Sequence, residues 1–250
     1  MIRINNKNII MQEAFVSLVP LRAGSKGIKR KNLVDINGSP LCSYVINASI
    51  ASGLKTYVST EDLEIKKRCL SINQKINIID RPADLAYDES STEDVIEHFL
   101  QVEKKSKHII LLQATSPLTS SNNINAAINK YIEHQYRPLV SVVKKHSFIW
   151  DKNGVPVNYD PFKRPRRQDW QGIYIENGAI YIFSREHFNK NKCRASNHCT
   201  LFTMDNKSSV EIDDQYDLDI INCLISKNSY VLRLLLQSNL HETLLHSRGL

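Results

Sequence analysis

A chain of 250 residues, 42% hydrophobic and 24% charged, can build one large core and has the composition of a soluble globular protein. No apolar run approaches the ~18 residues of a membrane span, and the opening MIRINNKNII lacks the apolar region and cleavage site of a signal peptide. With 33 basic against 26 acidic residues the net charge is +7, which suits an anionic partner without identifying it.

The five cysteines (Cys42, Cys69, Cys193, Cys199, Cys223) are odd in number and form no C-x-x-C pair. They fit free thiols in a reducing cytoplasm better than a disulfide framework or a zinc site. No H-E-x-x-H pair occurs among the eight histidines. Nucleic acid would be the obvious anionic partner. The basic residues, however, cluster in two loops, 26–31 and 163–167, with no RNP, helix-turn-helix or zinc-finger pattern, so no nucleic-acid partner is expected.

Residues 1–13 read as a polar leader. Phe15, Val16, Leu18 and Val19 form a buried strand that ends at Pro20 and opens into a loop with Gly24, Gly27, Ser25 and five cations. Glycine lets a backbone approach a ligand and offer its N–H groups to an anion, while Lys and Arg neutralise phosphate charge. Neither G-x-x-x-x-G-K-[ST] nor G-x-G-x-x-G occurs, so the loop is neither a Walker A loop nor a dinucleotide fingerprint.

Further along, 35–40 is a turn run, and Leu41, Tyr44, Val45 and Ala48 keep helical spacing up to Gly53 as its C′ residue. Lys55–Thr60 reads as a strand, 61–73 as an amphipathic helix and Ile76–Ile79 as a short apolar run. A helix opens at Ser91, with Asp94 three residues on in a capping-box pattern. His108–Leu112 has the nearly unbroken apolar character of a central parallel strand. Ile124, Ala127, Ile128, Tyr131 and Ile132 predict a helix over 121–134, and Leu139–Val143 another strand. Residues 144–176 are polar, proline-bearing and basic. Ala179–Phe183 and Leu201–Met204 read as strands, Asp214–Ile225 as a helix, and 226–250 as an amphipathic tail. This alternation argues for an α/β fold with right-handed crossovers, whose ligands sit at the carboxyl ends of the strands.

Pro20, Arg22, Gly24, Ser25, Lys26, Gly27, Lys31 and Asn32 stand in an order and spacing that resembles the signature of sugar-activating cytidylyltransferases, in particular the CMP-N-acylneuraminate (sialic acid) synthetases. Four further stretches follow in that family's order: Arg81–Ala86 with Asp88, Ser91 and Thr92; Leu111–Thr119; Asn177–Ile182; and Val210–Asp217. The resemblance spans about residues 14–225. It implies a Rossmann-like, doubly wound, mostly parallel sheet with helices on both faces and a dimerisation arm over 144–176. The arm would make the protein a homodimer and bring Arg166 and Arg167 to the partner's substrate site.

The resemblance also implies an activity, the Mg²⁺-dependent joining of CTP to a nonulosonic acid with release of pyrophosphate. Arg22, Lys26 and Lys31 would neutralise the triphosphate, with Ser25 and Asn32 donating hydrogen bonds. Arg81 would read the cytosine, and the hydroxyl expected downstream falls on Thr92; helix capping is the other reading of Ser91 and Thr92. Gln113 and Tyr181 would contact the sugar acid, although Tyr181 equally suits a core strand. Glu211 and Asp213, alternating along an extended segment, would present two oxygen ligands to Mg²⁺, with helix capping again the alternative for Asp213. Thr119 stands where the family has arginine, Glu211 where it has aspartate, and Arg194 and Ala195 where the sialic acid enzymes have an apolar pair. The acyl group is therefore open, and a relative such as legionaminic acid fits. A Kdo cytidylyltransferase and a non-catalytic nucleotide- or nucleic-acid-binding protein are the alternatives.

Overall fold

The computed structural model describes residues 14–226; the expected leader over 1–13 and nearly all of the expected tail lie outside the described residues. Strand β1 (Phe15–Pro20) is followed by a small hairpin, β2 (Asp35–Ile36) and β3 (Ser39–Pro40), and by helix α1 (Leu41–Ala51). Asn37 and Gly38 have φ of 51° and 84°, the left-handed pair that a two-residue hairpin turn requires. Then come β4 (Lys55–Thr60), α2 (Leu63–Ile72), β5 (Asn77–Asp80), α3 (Thr92–Val102), β6 (His108–Leu112), α4 (Ser121–Glu133) and β7 (Leu139–Lys145). The order closes with β8 (Ile173–Ser184), α5 (Arg185–Asn191), β9 (Thr200–Met204) and helical residues 215–226.

Seven strands form one sheet in the order β5-β4-β1-β6-β8-β7-β9. Only β8 runs against the others, being antiparallel to both β6 and β7. Along β6, Ile110 and Leu112 face the layer holding α1, α2 and α4, while Ile109 and Leu111 face the layer holding α3 and α5. Both faces are thus covered, which is why this strand reads as unbroken apolar sequence.

The register brings the carboxyl ends of β1, β4, β5 and β6 to one edge. Pro20 pairs with Ser59, Thr60 with Asp80, and Leu18 with Leu111. The phosphate-type loop, the turn after β4, Arg81 and Gln113 all leave the sheet there. Because Leu112 faces Ile180, β8 carries Gly178 beside the turn that follows β6.

The expected arm is shorter than its sequence boundaries. β7 runs on to Lys145 and β8 begins at Ile173, so the excursion is 146–172. It packs on itself: Phe148 stacks on Trp170 at 4.7 Å and meets Tyr159 at 4.3 Å, with the Arg164 guanidinium 4.3 Å from the Phe148 ring. Helix α5 had no sequence signal, being only seven residues long.

At the opposite edge His108 is sandwiched between Phe15 and Tyr136, at centroid distances of 4.7 and 4.8 Å, with Nδ1 3.2 Å from the Tyr131 hydroxyl. Burial pushes its pKa down to about 4 from about 6.5. The unfolded chain therefore binds the extra proton first. The stability this site contributes is complete above pH ~6.5 and is lost as pH falls towards 4. In His108→Phe, Tm should fall less steeply between pH 6.5 and 4 than in the parent; equal slopes in thermal melts would refute the assignment.

Candidate active site

A cavity of about 510 Å³ opens at the carboxyl edge of the sheet. Its wall includes Arg22, Ser25, Lys26, Lys31 and Asn32 from the loop after β1, Arg81 after β5, and Thr92 at the start of α3. Gln113, after β6, and Glu211 and Asp213, before the last helical segment, complete this set. Five separate parts of the chain thus supply ten of the residues expected at the site. Tyr181, Arg166 and Arg167 are not on this wall.

The loop is fixed against the acidic segment by direct backbone packing. A Cβ on Gly27 would stand 2.1 Å from the Asp213 carbonyl oxygen, so only glycine permits the approach. Lys31 spans the same junction, its ammonium donating to the Ile212 carbonyl at 2.7 Å and the Asp213 carboxylate at 3.0 Å. Asn32 is used internally, donating to the Arg22 carbonyl at 2.9 Å.

Ile212 points away from the cavity into a satellite core with Ile36, Leu41, Leu218 and Ile221. Full burial of such a side chain contributes about 1.5–3 kcal/mol. By the alternation of an extended segment, it turns Glu211 and Asp213 together towards the opening. Asp214 accepts from the Asp217 N–H at 3.0 Å while Asp217 accepts from the Asp213 and Asp214 N–H groups, so Asp214, rather than Asp213, caps the following helical residues.

Glu211 is half-buried. Burial chiefly pushes its pKa up, opposed by a 2.9 Å hydrogen bond from the Thr115 hydroxyl. With its amide nitrogen turned towards the acceptors, Gln113 donates to Glu211 Oε1 at 2.9 Å and to the Gly178 carbonyl at 3.1 Å. Gly178, at φ 63°, leaves the room this carboxylate occupies, since a Cβ there would lie 2.6 Å from Glu211 Oε1. Asn177 pins the strand behind it, accepting from Ser141 at 2.7 Å and donating to the Ser208 carbonyl at 2.9 Å.

The cations facing the cavity have internal partners. Arg22 binds Asp88 at 2.7 Å and the Tyr87 carbonyl at 3.2 Å, and Lys26 reaches the same carboxylate at 3.3 Å. Arg22, with Lys26 assisting, holds the Asp88 carboxyl below its usual range. Arg81 is 6% exposed and spends Nε and one Nη on Ser59, at 3.2 and 2.7 Å. Ser91 caps α3 in a reciprocal capping box with Asp94, leaving Thr92 on the cavity wall. Asp88 and Thr115 both fall within the motif stretches, which by themselves assign neither a role.

Tyr181 lies in the apolar layer against α3, with its hydroxyl on Glu176 at 3.0 Å, and burial pushes its pKa up to about 12. The Arg194 guanidinium sits 4.6 Å from its ring and pairs with Glu93 at 2.6 Å. Arg166 and Arg167 are exposed on the excursion, Arg166 pairing with Asp169 at 2.6 Å.

Chemically, the cavity offers a cluster of cations and glycine-rich backbone for a polyphosphate beside two carboxylates for a hard cation. Among the described residues no group of three or more His, Cys, Asp or Glu side chains is arranged around one metal position. A cation there would share its coordination with ligand oxygens, as Mg²⁺ commonly does.

The family model for cytidylyltransferases matches residues 16–240. The N-acylneuraminate cytidylyltransferase A of Danio rerio is 32% identical over 86% of this chain and 51% of its own length. The pseudaminic acid cytidylyltransferase of Campylobacter jejuni is 26% identical over 84% of this chain and 96% of its own. This chain thus spans about half the length of the N-acylneuraminate enzymes it matches and nearly all of the pseudaminic acid enzyme. Among solved structures, CMP:2-keto-3-deoxy-manno-octonic acid synthetase complexed with CTP superposes with a TM-score of 0.64 at 15% identity, over 86% of this chain and 99% of that one. That likeness shows the fold.

Two outcomes follow from the geometry. Gly27→Ala should lower stability by about 1–3 kcal/mol and weaken pyrophosphate binding with it. Gly24→Ala, which meets no atom within 4 Å, should leave Tm unchanged, and equal melts for the two variants would refute the packing argument. Asp88→Asn releases Arg22 and Lys26, so metal-free pyrophosphate should bind about two- to fivefold tighter by calorimetry; unchanged affinity would show that the ion pairs do not compete with the anion.

Proposed function

The chain belongs to the cytidylyltransferase family, and from that membership we propose that it transfers the CMP group of CTP to a sialic-acid-like nonulosonic acid, releasing pyrophosphate. The observation that carries the proposal is the convergence of phosphate-type cations, a buried arginine, a strand-end glutamine and two carboxylates on one cavity. In this reading Arg22, Lys26 and Ser25 hold the triphosphate, and Arg81 meets the cytosine with the donors Ser59 leaves free. Thr92 adds a hydroxyl to the nucleotide pocket, and Gln113 contacts the acceptor.

The acceptor's anomeric hydroxyl oxygen attacks the α-phosphorus in line. As the new P–O bond forms, the bond to the bridging oxygen breaks, pyrophosphate leaves with the electron pair, and the hydroxyl proton passes to solvent. Such a transfer is accelerated mainly by positioning and by charges aimed at the phosphoryl oxygens, a task that falls to Lys31 and Lys26. Glu211 and Asp213 fit Mg²⁺: both are hard oxygen donors on one side of an extended segment. When bound, the ion would draw off charge developing on the phosphate oxygens.

We further propose that two copies pair through the excursion 146–172, where Trp150, Val157 and Phe162 are exposed, Phe162 almost completely. Arg166 and Arg167 would then reach the partner's acceptor site, and Tyr181 would back the pocket through Glu176. No described helix is long and apolar enough to cross a membrane. CTP as donor and five free thiols support a cytoplasmic site of action.

Pyrophosphate release with CTP and Mg²⁺ is expected with at least one of N-acetylneuraminic, legionaminic and pseudaminic acids. Release with Kdo alone would transfer the protein to that acceptor class, and no release from a folded chain that binds CTP would overturn the reading. Lys26→Ala should lower kcat/KM about 10²–10³-fold at unchanged Tm, because its side chain is 78% exposed.

A further inference from the structure

Several buried hydroxyls in this fold tie one structural element to another. Ser17 meets Ser49 at 2.6 Å and Ser49 meets Thr56 at 2.8 Å, which joins β1, α1 and β4 through side chains. Ser59, near the carboxyl end of β4, is different. The register sets it between Pro20 and Ile79, and it is fully buried. Among the described residues its hydroxyl has one partner, the Arg81 Nε–H at 3.2 Å. Alanine or valine would complete the strand there without burying a hydroxyl, so the architecture of the sheet does not account for this one.

The Ser59 carbonyl, which any residue would supply, accepts both the Leu21 N–H at 2.9 Å and Arg81 Nη2 at 2.7 Å. The Arg81 N–H in turn donates to the Thr60 carbonyl at 3.1 Å, which fixes the main chain of this residue on the same strand end. Hydroxyl and carbonyl together take Nε and Nη2, the two donors along one side of the planar guanidinium. The plane of the group is thereby set. What remains is the end-on fork, Nη1 and the second hydrogen of Nη2, on a residue that lines the cavity. The described partners of this guanidinium all belong to Ser59 and none is a carboxylate. A buried cation bonded only to neutral groups favours a ligand with acceptors to offer.

Two adjacent acceptors match such a fork. Cytosine carries O2 and N3 side by side on its pairing edge, both as acceptors. In uracil N3 carries a hydrogen, so the same fork would meet one acceptor and one donor. We infer that Ser59 is a positioning residue that holds the Arg81 fork in the plane that selects cytosine over uracil. The inference rests on the nucleotide reading above and deepens it, by naming the buried hydroxyl through which the base is chosen.

Calorimetric titration of the whole chain with pyrophosphate, CTP and UTP tests this. Ser59→Ala removes the hydroxyl, keeps the carbonyl and leaves Nε–H to seek another partner, which turns the fork. Its preference for CTP over UTP should fall about three- to tenfold, within the range of one hydrogen bond, while pyrophosphate affinity stays within about twofold of the parent. Arg81→Lys keeps the charge without the fork, so it should lose the preference at least as far. In that background Ser59→Ala should change the ratio no further, since the effect acts through Arg81. A Ser59→Ala chain that melts lower but keeps the parent's ratio would show a purely structural hydroxyl and overturn the inference alone, as would a further fall in the Arg81→Lys background. A parent chain that binds CTP no better than UTP, or an Arg81→Lys chain that discriminates as the parent does, overturns the reading of the base pocket and the inference with it.

Discussion

One ammonium group joins parts of the chain 181 residues apart. Lys31 donates to the backbone and side chain of the 212–213 segment, and Gly27 beside it lets the two backbones touch. The whole site depends on that junction. It presses a loop rich in cations against a segment rich in carboxylates, and it does so where the strand ends converge. Ile212 secures the segment from behind by burying in a separate small core, so the acidic side chains cannot turn inward. A site able to take both a polyphosphate and a hard cation needs opposite charges at short range, and this junction is what keeps them there.

The loop cations in the cavity are balanced before any ligand arrives. Asp88 neutralises Arg22 and Lys26, and Asp213 neutralises Lys31. Such pairing keeps long, flexible side chains in place on the cavity wall. Glu211 differs from these acids. It is half-buried, without a cation in direct contact, and is held by Thr115 and Gln113 in the space left by Gly178. Its raised pKa marks a carboxylate that the fold keeps at some expense to stability.

Much of the fold was legible because its cues are local. The apolar run of β6, the helical spacing of α4, the Asn37–Gly38 turn and the Ser91–Asp94 capping box each report a preference that a few neighbouring residues decide. Helix α5 was missed because seven residues carry too short a period. The first residues of β8 leave no strand pattern in the sequence: they follow a proline-bearing stretch, and the adjacent apolar residues Tyr174 and Ile175 are both exposed. The self-packing of the excursion around Phe148 and Trp170 also left no trace in spacing, since its partners are 22 residues apart.

By itself the sequence determined the chemistry of the parts: a glycine-bearing cationic loop after a strand, an arginine before a proline after a short apolar run, a glutamine at the end of an apolar run, and alternating acids. Those are properties of residue type and near neighbours. Only the tertiary structure decided that they meet, that Asn32 and Asn177 serve as internal ties, and that Ser91 caps while Thr92 faces the cavity. The reason is physical. Local preferences act over a turn or two of backbone, whereas Gly27 meets Asp213, and Glu61 meets Ala23, only after a seven-stranded sheet has packed between its helices and fixed where each strand ends.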